Sequence, residues 1–134
     1  MGTADPLAPK ALRASAGSAL RLPILRGISP AVLMSQLRVS RVKVYAAVAG
    51  AIIPKKQGTA AVPTRLRPWE IDWKSPSALL IGNEGSGLPE EIAREADARV
   101  SIPQATAITP VGIESLNAAM AATVLLYEAM RQRI

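Results

Sequence analysis

The sequence predicts an α/β fold: one domain, residues 1–134, built on a largely parallel sheet with flanking helices. Three observations carry that expectation. Short apolar runs alternate with amphipathic stretches along the chain, the order in which parallel strands are joined through helices. A glycine-rich loop, Gly82-Asn83-Glu84-Gly85-Ser86-Gly87, stands between an apolar run and a helix start, the position at which open α/β sheets bind ligands. The chain is 134 residues long, enough to close one core but not two.

Taken in order, Pro6 and Pro9 punctuate the start, and the Ala-rich stretch 10–20 fits a short helix or a helix-turn segment. Leu20 to Ile24 alternates briefly. Ser29-Pro30 is a cap and first-turn pair, and Val32, Leu33 and Leu37 continue it as an amphipathic helix to about Ser40. Val42 to Val48 reads as a strand buried on both faces toward its end. Between Pro54 and Pro76 the pattern predicts a turn at 55–58 and no definite element beyond it. Ala78 to Ile81 is a short apolar run entering the glycine loop. Pro89, with Glu90 and Glu91 in the first turn, opens a helix over 88–96, and 98–102 reads as a strand. A helix is predicted from Glu114 to about Arg131. Leu116, Met120, Thr123, Val124, Tyr127 and Met130 share one side of it, and alanines keep the remainder slim enough for close packing.

Composition removes several chemistries. Cysteine and histidine are both absent, which excludes disulfides, thiolate nucleophiles and imidazole bases, and leaves no metal site to expect. No apolar run approaches the roughly 20 residues of a membrane helix, and the first residues have neither the basic start nor the apolar middle of a signal peptide. A soluble, cytoplasmic protein is the expectation. Sixteen basic against ten acidic residues give a net charge of +6. Most of the excess precedes residue 75, which favours a polyanionic partner, although a merely solvated basic surface would look the same. Aromatics are 3% of the chain and phenylalanine is absent, which argues against base-stacking platforms of the kind single-strand binders use.

Two constellations carry candidate chemistry. In the glycine loop, bare peptide groups can approach a ligand closely. The Lys-Ser/Thr ending of a phosphate loop and the G-x-G-x-x-G of a dinucleotide loop are both missing. Glu84 would repel phosphate and suits a ligand with donors or positive charge. A plain tight turn is the competing reading. The second constellation is Ile102-Pro103, a polar loop, and then Glu114-Ser115-Leu116-Asn117 at the helix start. Ser115 and Asn117 can present polar groups toward the strand ends, or simply cap the helix.

Together, strand-GNEGSGL, strand-IP and ESLN before an Ala-rich helix ending Arg131-Gln132-Arg133 closely resemble the second and third motifs of the SpoU (TrmH-like) family of SPOUT RNA 2′-O-ribose methyltransferases. Pro9 to Ser18 and Leu22-Pro23 resemble the family's segment before its central strands. The resemblance implies a parallel sheet whose C-terminal part forms a trefoil knot that binds S-adenosylmethionine. It implies methyl transfer to a ribose 2′-hydroxyl of rRNA or tRNA, and a homodimer formed through the C-terminal helix, an interface that the slim alanine face would suit. It places the cofactor against Ile81, Gly82, Asn83, Glu84, Gly85, Gly87, Ile102, Ser115, Leu116 and Asn117. Glu84, Ser115 and Asn117 match the family's polar active-site members.

The family's first motif, an Asn-rich strand-to-helix segment ending in an arginine, has no counterpart here, so the first strand-helix unit is expected to be missing. Residues 104–112 form a longer connection than most relatives have. A non-catalytic RNA-binding or dimerisation module that retains the fold is the alternative. An unrelated nucleotide-binding α/β domain is disfavoured by Glu84 and the absent phosphate-loop lysine.

Overall fold

The computed structural model describes residues 5–50, 65–104 and 116–134. Among the described residues four parallel strands, β1 (Lys43–Ala47), β2 (Arg65–Leu66), β3 (Ser77–Leu80) and β4 (Ala98–Val100), form one sheet in the order β2-β4-β1-β3. The last strand therefore lies between the first two, and β1 and β4 are central. In register, Tyr45 stands beside Leu79 on one side and Ala98 on the other.

Helices cover both faces, as the burial of both faces of β1 requires. On one face Val44 and Ala46 meet Met34 from α2 (Pro30–Val39) and Ala93 from α3 (Glu90–Glu95). On the other, Tyr45, Ala98 and Val100 meet Leu125 and Ala129 from α4 (Ala118–Arg131), together with Ile71 and Trp73. The Tyr45 and Trp73 rings lie 5.2 Å apart at a 58° tilt, a favourable aromatic geometry. A shorter helix, α1 (Pro9–Ala14), and a 3-10 turn at Ser18–Leu20 precede these layers.

Local chemistry explains the boundaries. Ser29 caps α2, its hydroxyl accepting from the Val32 amide at 3.4 Å, and Pro30 occupies the first turn, where a missing N–H costs nothing. Arg41, at φ 55°, turns the chain from α2 into β1. Arg99 on β4 is 12% exposed and pairs with Glu90 of α3, tying that helix to the sheet. The stretch without a definite predicted element contains β2, a 3-10 turn at Pro68–Glu70, and two core residues, Ile71 and Trp73. β2 is two residues long, too short to show a period of two.

The C-terminal helix differs from expectation in two ways. It begins at Ala118 rather than Glu114, because Asn117 is its N-cap: the side-chain oxygen accepts from the amides of Ala119 (2.9 Å) and Met120 (3.3 Å). Its slim side, expected to suit a dimer interface, is also the side buried within the protein itself. Leu125 and Ala129 are buried, whereas Met120, Val124, Tyr127 and Met130 are exposed. Close approach to the sheet demands small side chains, so the alanine face turns inward and the bulky stripe is left outside.

Candidate functional site

Parallel strands end together, and the carboxyl ends of β1, β3 and β4 open into one cavity of about 200 Å³. The β1 extension Ala47–Gly50 forms one wall, Ile81–Glu84 another, and Val100, Ile102 and Gln104 a third. Leu116, Asn117, Ala118, Ala121 and Leu125, from the start of α4 and its inner face, close it. The lining is apolar at Val100, Ile102, Leu116 and Leu125 and polar at Asn83, Glu84, Gln104 and Asn117.

The glycine loop holds its shape through its own groups. Its ends pair in both directions, Asn83 N–H to Gly87 O at 3.2 Å and Gly87 N–H to Asn83 O at 3.1 Å. The Asn83 side-chain oxygen accepts from the Gly85 amide (2.9 Å), the Ser86 amide (2.7 Å) and the Ser86 hydroxyl (3.2 Å). Such an Asx turn replaces backbone pairing inside the loop. A Cβ at Gly82 would stand 2.1 Å from both the Gly87 carbonyl carbon and the Leu88 nitrogen, so no larger residue fits. Gly87 adopts φ 69°, which glycine supplies without strain.

Glu84 and Asn117 meet across the cavity mouth, where the Asn117 amide nitrogen donates to a Glu84 carboxylate oxygen. The two readings of Asn117 are therefore not alternatives. Its oxygen caps α4, and that cap turns its nitrogen toward Glu84. Opposite, the buried Ser101 hydroxyl donates to the Gly50 carbonyl at 2.7 Å, and the Val48 amide donates to Val100 O at 2.9 Å, fixing the β1 wall to β4.

Ile81, Gly82, Asn83, Glu84, Ile102, Leu116 and Asn117 are thus brought together as cavity lining. Gly85 and Gly87 are not part of that lining and act by shaping the loop. Ser115 and the 105–112 part of the long connection lie outside the described residues. The β1 wall, Ala47–Gly50, was not among the predicted site residues. The run Ala46-Ala47-Val48-Ala49-Gly50, small residues ending a strand in glycine, is the pattern that marks it once the strand is known to be central. No group of acidic side chains among the described residues is placed to hold a metal ion.

Residues 1–127 match the SpoU rRNA Methylase family. The chain is 38% identical over 135 residues to a 23S rRNA (uridine(2479)-2′-O)-methyltransferase of Streptomyces viridochromogenes, covering 98% of this chain and 41% of that protein. It is 33% identical over 129 residues to a 23S rRNA (guanosine(2553)-2′-O)-methyltransferase of Bacillus subtilis, covering 94% and 43%. Its fold superposes on the SpoU methyltransferase AviRb of Streptomyces viridochromogenes, crystallised with S-adenosylmethionine, with a TM-score of 0.75 and 34% identity over 98% of this chain and 47% of that one. The chain spans about two fifths of the length of these curated relatives.

Proposed function

Since the chain belongs to the SpoU rRNA methylase family, we propose that it binds S-adenosylmethionine and transfers its methyl group to a ribose 2′-hydroxyl of rRNA or tRNA. The observation that carries this reading is the cavity at the carboxyl ends of β1, β3 and β4, with Glu84 and Asn117 joined at its mouth. Its donor set fits that cofactor. Apolar walls at Val100, Ile102 and Leu116 suit a purine, the glycine loop and the β1 extension offer peptide groups at close range, and Glu84 suits a cationic ligand where it would repel a phosphate chain.

When bound, S-adenosylmethionine supplies an electron-poor methyl on a sulfonium, which leaves as a neutral thioether when the ribose oxygen attacks in line. The protein's part is placement and proton acceptance. Asn117 is held by its own cap and holds Glu84 in turn, so that a carboxylate oxygen is available to orient the 2′-hydroxyl and draw its proton. Ser115 belongs with them by its place in the ESLN motif. In the same reading, residues 1–134 form one cofactor-binding domain, C-terminally knotted, that acts in the cytoplasm. Two copies pair through the exposed stripe of α4.

Calorimetric titration with S-adenosylmethionine tests the cofactor. Saturable one-site binding is expected, and folded protein that binds none would overturn the reading. A radiolabelled methyl-transfer assay on bulk rRNA and tRNA, run beside a chain extended upstream to the length of its relatives, tests the reaction. Alkali-stable label in ribose is the expected product.

A further inference from the structure

Trp69 is 56% exposed, whereas Trp73, four residues on, is 2% exposed and packed on Tyr45. A large aromatic left that open is informative when its setting is rigid, and here it is. Pro68 is buried, and its carbonyl accepts from the Trp73 indole N–H at 2.8 Å. The Arg67 amide donates to the Glu70 carboxylate at 2.7 Å, and Ile71 is buried. The turn is pinned on both sides of Trp69, and the ring is held outward. The Arg67 guanidinium stands 5.9 Å from the ring centroid, within cation–π range. The two acidic residues of the segment are already engaged, Glu70 with Arg67 N–H, and Asp72 with the Lys74 amide at 3.0 Å and the Ser75 hydroxyl at 2.6 Å.

The turn's place in the fold gives the platform a purpose. It leaves the carboxyl end of β2, where Leu66 O accepts from the Ser101 amide at 3.0 Å, and the next residue, Ile102, lines the cavity. The turn that carries Trp69 thus begins at the carboxyl end of β2, the strand beside β4, whose own carboxyl end leads into the cavity wall. We propose that Trp69 and Arg67 form a stacking platform for an unpaired RNA base next to the nucleotide whose ribose enters the cavity, with Arg67 also meeting its phosphate. This rests on the methyl-transfer reading for the identity of the partner. Every base offers a face to an indole, so the platform adds affinity and places the strand without selecting sequence. A second copy of the chain is the other occupant a half-open tryptophan could have. The guanidinium beside the ring and the start of the turn at the carboxyl end of β2 favour RNA.

Because Trp73 is buried, quenching by a bound strand reports Trp69. Titration of the 134-residue chain with a single-stranded oligouridylate is expected to quench the iodide-accessible emission. Trp69→Ala should weaken RNA binding about five-fold or more, Trp69→Phe should retain most of it, and Arg67→Gln should weaken it with a shallower salt dependence. S-adenosylmethionine binding by Trp69→Ala should equal that of the unchanged chain, which also certifies its fold. Unaltered RNA affinity in Trp69→Ala overturns the proposal, as does a wild-type chain that binds no oligouridylate. A shift from dimer to monomer in sedimentation with RNA affinity unchanged would assign the ring to an interface between copies instead. Where the unchanged chain binds RNA but no S-adenosylmethionine, loss of RNA affinity in a Trp69→Ala variant that keeps its circular dichroism spectrum would leave the platform standing and remove the methyl-transfer reading.

Discussion

Gly82 and Asn117 show how single residues hold the site. At Gly82 the constraint is steric: the loop returns so closely that a Cβ would meet backbone atoms, which cannot rotate away as a side chain can. Gly82→Ala is therefore expected to cost about 1–3 kcal/mol, the range for overpacking, and to abolish S-adenosylmethionine binding, both measurable by denaturant melts and calorimetry. At Asn117 the constraint is double use of one side chain. Asn117→Ala should cost about 1 kcal/mol through loss of the cap. Glu84→Ala, at an exposed position, should cost less. In a chain extended to the length of its relatives, each should lower methyl transfer by roughly a hundredfold, the scale of a lost proton acceptor. Stability and transfer lost in the same proportion would mean that the pair merely supports the fold.

At the scale of elements, α4 is governed by what it touches at each end. Near its C-terminus Glu128 accepts from Arg131 and Gln132, and these bonds, Arg131 first, hold its carboxyl down to about 2 from the ordinary 4.5. A carboxyl lowered by folding stabilises fully above its unfolded value and loses that contribution as pH falls through the folded one. The thermal midpoint of the unchanged chain should therefore fall more between pH 5 and pH 2 than that of Glu128→Gln. Parallel declines in the two proteins would remove Glu128 from the account.

The elements also show what a sequence reveals and what it withholds. The Ser29-Pro30 start of α2, the β1 and β3 runs and the Pro89 start of α3 follow from local rules, since caps, prolines and burial on both faces act within a few residues. β2 is two residues long and exists because β4 lies beside it, a long-range fact. For α4, periodicity identified two faces, and the slim one, expected to suit a dimer interface, packs on the sheet instead. Which face goes inward was decided by the sheet's closeness, which no pattern within the helix encodes. Likewise Glu84 and Asn117 were legible as polar residues in two motifs, but their contact across 33 positions was not.

For the whole molecule, the stripe turned outward on α4 has the clearest consequence. Met120, Val124, Tyr127 and Met130 are 59%, 41%, 61% and 51% exposed and recur at spacings of three and four, so they form one continuous apolar face. A helix ordinarily hides such a face, and this one hides the opposite side instead. Continuous exposed apolar surface marks association, and a two-fold interface lets the same stripe serve both partners. The stripe begins three residues beyond Asn117, so pairing there would bring a second copy to the rim of each cavity and link assembly to cofactor binding. Replacing Val124 and Tyr127 together by lysine leaves the buried Leu125 and Ala129 untouched. The variant should keep its circular dichroism spectrum, sediment as a monomer where the unchanged chain is a dimer, and bind S-adenosylmethionine more weakly. A monomeric unchanged chain at tens of micromolar, or a lysine variant that still sediments as a dimer, would refute pairing through α4. Dissociation with cofactor affinity unaltered would retain the interface but sever it from the site.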